Sequence, residues 1–230
     1  MGNVSVILRK QFKDTFKNKT VLIQFILFPV MTLIMENMIK LEGMPEHFFA
    51  KLFSVMYVGM APLTCVASII SEEKEKNTLR VLIMSNVKPS EYLLGVGSYT
   101  WLLCMIGSFV IGASAKFTGT QLMTYEFIMG VGVLISILLG AAIGMYANNQ
   151  MMSTSLVMPA MMLLAFAPML SMFNEKIGKF AQILYTEQMS RLFLAMSLSE
   201  AEAKGVVCVL VNILVFTIFF MIAFREKGLE

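Results

Sequence analysis

The sequence predicts an all-α membrane protein with six transmembrane helices, and three observations lead there. The chain is 57% hydrophobic and only 14% charged, with a mean hydropathy of +0.76, too apolar for a soluble domain of 230 residues. Leu52–Ser71 and Tyr92–Ala115, 20 and 24 residues long, contain no Asp, Glu, Lys or Arg; about 20 apolar residues suffice to cross a bilayer as a helix. Phe127–Asn174 extends the same character over 48 residues, too many for one crossing, with Asn148-Asn149-Gln150 as a turn in its middle.

Residues 1–19 form a lead-in. Val4, Leu8, Phe12 and Phe16, with Ile7 beside them, make one apolar stripe of a helix, while Arg9, Lys10, Lys13 and Lys17 fall largely opposite. Such a helix either lies in the headgroup plane against anionic membrane lipids or serves as a plain positive-inside anchor. No small-residue cleavage site follows the first apolar run, so no cleavable signal peptide is expected. The first span covers 20–36. Its uncharged core, Thr20–Met35, is short, so Lys19 must snorkel at one end and Glu36 must sit near the other. Glu36 reads as an interfacial carboxylate or as part of a polar path, and Pro29 is a place for a kink.

The second span, 50–71, holds Gly59 and Pro62. The loop before it carries the single His47, which has no partner at metal-ligand spacing and reads as a solvated loop residue. The third span, 91–115, opens with Ser90 and Glu91 after Pro89. Spans four and five are 127–147 and 151–173. Ser136, Gly140 and Gly144 recur every four residues on the fourth, a face suited to close helix packing. The fifth contains Pro159 and Pro168, and its Met158, Met161, Met162 and Met169 suit either an adaptable substrate wall or lipid-facing filler.

Residues 174–204 are amphipathic. Ile177, Phe180, Ala181 and Leu184, then Met189, Leu192, Phe193 and Met196, predict one or two short surface or re-entrant helices. Ser199 and Glu202 read as a capping box before the sixth span, 205–224, which Arg225 and Lys227 stop. Cys65, Cys104 and Cys208 all lie in apolar runs and read as small buried hydrophobes, not as disulfides or metal ligands. Lys and Arg counts orient the chain: with the N-terminus inside, eleven fall in the cytoplasm and seven outside, four of those in the one longer outer segment. The expectation is a multi-pass protein of a bacterial-type plasma membrane with both termini cytoplasmic.

The linker at 72–90 is the most charged part of the molecule and falls on the cytoplasmic side. Asn77 can cap a short helix Thr78–Ser85, with Leu79, Leu82 and Ile83 on one face and Glu72, Glu73 and Glu75 at its N-terminal side. The segment is either a handle for a soluble partner, burying those Leu side chains in its groove, or a solvated loop. The stretch EEKEKNTLRVLIMSNVKPSEYLLG resembles the signature of type-2 ATP-binding-cassette transporter permeases. Thr78-Leu79 and Leu93-Leu94-Gly95 match that pattern, whereas Asn77 stands where Gly is usual and Arg80 where Glu is common.

The resemblance implies that 72–90 is the coupling segment, with Glu72, Glu73, Glu75, Asn77, Thr78, Leu79, Arg80, Leu82 and Ile83 contacting a cytoplasmic ATPase subunit. It also implies pairing with a second permease copy or a related permease, and a path walled by spans two and five, here by Met60, Met162 and Phe166. No G-x-x-x-x-G-K-[ST] loop is present, so ATP and Mg would be held by the partner, with no cofactor on this chain and no enzymatic activity of its own. Apolar walls favour export of an amphiphilic or hydrophobic compound such as a drug, antimicrobial peptide or lipid-like molecule. A nucleic-acid partner is not expected. An intramembrane metalloprotease would need several His and Glu on facing helices, and a channel or secondary transporter would show ionisable residues deep in its spans or inverted repeats. The competing reading is a non-transporting immunity or sensor protein that binds a peptide or lipid.

Overall fold

The computed structural model describes residues 3–15, 19–39, 45–196 and 202–227. All regular structure among them is helical: α1 (Asn3–Thr15), α2 (Lys19–Met38), α3 (Phe48–Glu75), α4 (Thr78–Met84), α5 (Pro89–Ser114), α6 (Gly119–Tyr146), α7 (Gln150–Ser171), α8 (Glu175–Ala181), α9 (Tyr185–Ala195) and α10 (Ala203–Lys227). Among the described residues, five helices (α3, α5, α6, α7 and α10) are long and apolar enough to cross a bilayer, and Leu22–Met38 of α2 is a shorter apolar stretch. By length and composition the chain is a multi-pass membrane protein. The expected positions Phe16, Lys17 and Ser199 lie outside the described residues, as does the side chain of Lys19.

The bundle is built on α3, which packs against α2, α5, α6, α7 and α9. Small residues let α6 come close. A Cβ on Gly140 would lie 2.6 Å from the Leu63 carbonyl oxygen, and one on Gly144 would lie 2.8 Å from that of Ala67. Backbone-to-backbone approach of this kind is how helices associate where lipid gives no hydrophobic drive. Ser136, one step earlier on the same face, donates to the Val58 carbonyl at 2.6 Å. Pro62, four residues after Val58, has no N–H to offer that carbonyl, so the serine supplies the hydrogen bond that the proline cannot. On the other side of α3, a Cβ on Gly59 would meet the Ala165 nitrogen of α7 at 3.0 Å.

Pairwise contacts set the helix directions. Gln24 in the first half of α2 accepts from Thr64 Oγ1 at 2.8 Å, while Glu36 near its end accepts from the Ala50 N–H at 3.1 Å, so α2 and α3 are antiparallel. The α5–α6 hairpin is joined by Ser108 to Glu126 at 3.0 Å and by Trp101 to the Gly130 carbonyl at 3.1 Å. α6 and α7 meet at Asn148–Asn149, where the Asn149 side chain accepts from the Met152 N–H at 2.8 Å and caps α7.

The amphipathic segment after α7 divides in two. α8 is largely exposed, with Phe180 uncovered, as is Ile183 in the turn that follows, whereas α9 wedges between α3, α6, α7 and α10. Tyr185 of α9 is fully buried, its hydroxyl 2.6 Å from Ser136 Oγ, and Phe193 packs on Tyr125 with ring centroids 5.4 Å apart. Gly140→Leu forces α3 and α6 apart and costs about 1–3 kcal/mol of stability. A clear fall in the thermal unfolding midpoint of the detergent-purified protein is expected, and an unchanged midpoint would show that the two backbones do not meet there.

Candidate functional site

Three of the charged residues before α4, Glu73, Lys74 and Glu75, bond to other helices of the bundle. Glu73 is buried at the end of α3, and its carboxylate accepts three hydrogen bonds: from Lys10 Nζ at 2.6 Å, Gln11 Nε2 at 2.9 Å and Tyr92 Oη at 2.7 Å. One side chain thereby ties α1 and α5 to α3. Lys74 Nζ donates to the Met145 carbonyl at 2.9 Å, in the last turn of α6, and Glu75 accepts from the Gln150 N–H at 3.0 Å, the first residue of α7. A cation at a helix C-terminus and an anion at an N-terminus both suit the helix dipole. Glu72 pairs with Lys76 one turn on. Five consecutive charged residues, Glu72 to Lys76, form a junction, and through Glu73, Lys74 and Glu75 it grips α1, α5, α6 and α7.

α4 hangs from this junction between two left-handed turns, at Asn77 (φ 57°) and Asn86 (φ 64°). Asn tolerates that conformation better than most residues. The expected Asn77 side-chain cap is absent; Thr78 Oγ1 instead donates back to the Glu73 carbonyl at 3.0 Å. The expected apolar face is also turned inward. Leu79 is 1% exposed, and Leu82 and Ile83 pack partly buried on the core. The outward surface of α4 includes Arg80, Val81 (62% exposed) and Met84 (76% exposed), with Thr78 exposed at its start. After the second turn α5 opens at Pro89, one residue before the expected Ser90, and the Lys88 N–H donates to Glu91 Oε2 at 3.0 Å.

The Leu-Leu-Gly stretch has a packing reason. A Cβ on Gly95 would sit 2.7 Å from Ile7 Cγ2, so the glycine makes room for the lead-in helix. Phe12 adds an edge-on contact with Tyr99, ring centroids 4.9 Å apart, and α1 lies along α5 with Arg9 and Lys13 exposed.

Of the three residues expected along a path, Met60 lines a cavity and Met162 and Phe166 do not line the same one. Met60 lines a cavity of about 470 Å³ between α2, α3 and α7, but its companions there are Met158 and Met161, with Gln24, Thr64 and Ser153 adding polar atoms. Met162 is exposed and Phe166 is half-buried, and neither lines that cavity. One step along a helix rotates a side chain by about 100°, enough to exchange Met161 for Met162.

Glu36 caps α3 through the Ala50 N–H and stands 3.4 Å from His47 Nδ1, which places both in one loop-end contact. No group of His, Cys, Asp and Glu among the described residues could hold a metal ion, and Cys65, Cys104 and Cys208 are free thiols. Glu126 was outside the sequence expectation, which started the fourth span at Phe127. It lies within α6, and its Oε1 is buried without a partner among the described residues. Scanned against protein-family models the chain matches none, and no curated protein matches it.

Glu73→Ala leaves three donors without their acceptor and is expected to cost about 3 kcal/mol, with α1 released from α3. Tyr92→Phe removes one of the three bonds and is expected to cost about 1 kcal/mol. Thermal unfolding, together with proteolysis of the first fifteen residues, reads both. Equal, small effects would mean that the carboxylate is not the tie.

Proposed function

We propose that this chain is the membrane-spanning permease subunit of an ATP-binding-cassette exporter and that α4 is the helix through which a separate ATPase subunit drives it. The observation that carries this reading is the mounting of α4. It is a short helix with an outward face of Arg80, Val81 and Met84, and it is attached to a charged junction that reaches α1, α5, α6 and α7. A push on such a helix is delivered to several spans at once.

In this reading the junction end is cytoplasmic, with the lead-in and both chain ends on that side, and the chain makes six crossings, α2, α3, α5, α6, α7 and α10. The lead-in helix rests at the inner membrane surface while docked on α5. The docking surface for the ATPase is the outward side of α4, and Leu79, Leu82 and Ile83 anchor the helix to its own bundle. ATP and Mg are held by the partner.

A second permease copy, or a related one, faces the α2–α7 side. There α2 leaves Ile23, Ile26, Leu27 and Val30 exposed, and α7 leaves Met158, Met162 and Leu163 exposed. The cavity behind Met60, Met158 and Met161 opens between those helices and is mainly apolar. An amphiphilic or hydrophobic cargo suits it, since flexible methionines adapt to varied apolar shapes.

The experiment is a pull-down from native membranes. The wild-type chain is expected to bring a nucleotide-binding protein with it. The double variant Val81→Asp, Met84→Asp is expected to lose that protein by about tenfold or more while keeping its unfolding midpoint, because both positions are exposed. Leu79→Asp is expected to unfold the segment instead, by burying a charge. Undiminished capture by the double variant would overturn the docking surface, and a wild-type chain with no nucleotide-binding partner would overturn the transporter reading.

A further inference from the structure

We infer that the groove between α6, α9 and α10 is a binding site for one phospholipid with a zwitterionic phosphate–ammonium headgroup. The groove encloses about 550 Å³, within the roughly 300–1,000 Å³ range of small-molecule sites. Its walls are apolar, with Ile128 and Val131 from α6, Leu192 from α9 and Val209 from α10. The rim is not: exposed Arg191 and exposed Glu202 both line it. A tail-binding trough with opposite charges at its rim is complementary to an amphiphile that carries both signs in its head.

The placement of these charges supports the same ligand. Glu202 stands immediately before α10, at the end of a spanning helix, where headgroups lie, and Val206 and Val209 continue from it along the acyl region. Arg191 bonds Glu187 Oε1 through Nε at 3.2 Å, which fixes the guanidinium and leaves its terminal nitrogens for a phosphate. Glu187 is itself buried and also accepts from Ser171 at 2.9 Å, so the arginine is held from below by a rigid acceptor. Glu202 is then the partner for the ammonium. An anionic lipid satisfies Arg191 but is repelled by Glu202, and a free phosphate or amino acid leaves the walls unfilled.

This inference goes beyond the transport reading and does not rest on it, because the site lies within a single chain. The test uses the purified full-length chain in detergent, incubated with an equal mixture of phosphatidylethanolamine and phosphatidylglycerol and examined by native mass spectrometry. The expected result is one phosphatidylethanolamine retained in preference to phosphatidylglycerol. Arg191→Ala lowers its occupancy by about tenfold, the loss of one charge-assisted hydrogen bond. Glu202→Lys shifts the preference to phosphatidylglycerol. Val206→Trp, at a position that is already exposed, fills the trough and removes both lipids. Because Arg191→Ala also deprives the buried Glu187 of its cation, the other two variants decide the matter if that protein does not fold. Equal retention of the two lipids by the wild type, or undiminished phosphatidylethanolamine on Val206→Trp, overturns the inference.

Discussion

A buried carboxylate with three donors around it, at the meeting of α1, α3 and α5, is the constraint on which the rest of the architecture turns. A charge removed from water is tolerable only when it is paired and fully hydrogen-bonded. Glu73 therefore fixes Lys10, Gln11 and Tyr92 as one unit. With that residue fixed, the next two in sequence face the last carbonyls of α6 and the first amide of α7, where Lys74 and Glu75 carry the signs that those helix ends favour. The same logic repeats at the opposite end of α3, where Glu36 holds the Ala50 N–H.

Between its two charged ends the bundle is held by shape. α3 and α6 approach through Gly140 and Gly144 and exchange a hydrogen bond at Ser136, which supplies a donor for the carbonyl that Pro62 leaves open. In lipid, every backbone polar group must find such a partner. Tyr185 closes the arrangement by placing its hydroxyl on the same serine, which locks α9 into the bundle. By contrast, α2, α7 and α10 turn long apolar faces outward. Those faces suit lipid or a second membrane protein.

Much of this is legible in the sequence, and each departure has a physical reason. Uncharged runs and the Asn148–Asn149 break locate the long helices because lipid imposes length and polarity directly on sequence. The Ser136, Gly140, Gly144 spacing points to a close helix contact for the same reason. A seven-residue helix with Leu79, Leu82 and Ile83 on one side reveals a stripe but not what covers it, and here the cover is the chain's own core. The partners of Glu73 lie 63, 62 and 19 residues away, beyond any local pattern. Asn77 suits a cap and a left-handed turn equally well, and the chain uses the turn. Glu126 was missed because an uncharged run ends, by definition, at the first carboxylate, even one inside the helix.

The central claim is that α4 presents its outward face to the cytoplasm, where an external ATPase can move it. A single cysteine at Met84, in a chain whose Cys65, Cys104 and Cys208 are replaced, reports this directly through labelling with a membrane-impermeant maleimide. Labelling in inverted vesicles and none in right-side-out vesicles is the predicted result. Labelling from the outside of intact right-side-out vesicles would place α4 where no ATPase can reach it and would contradict the account.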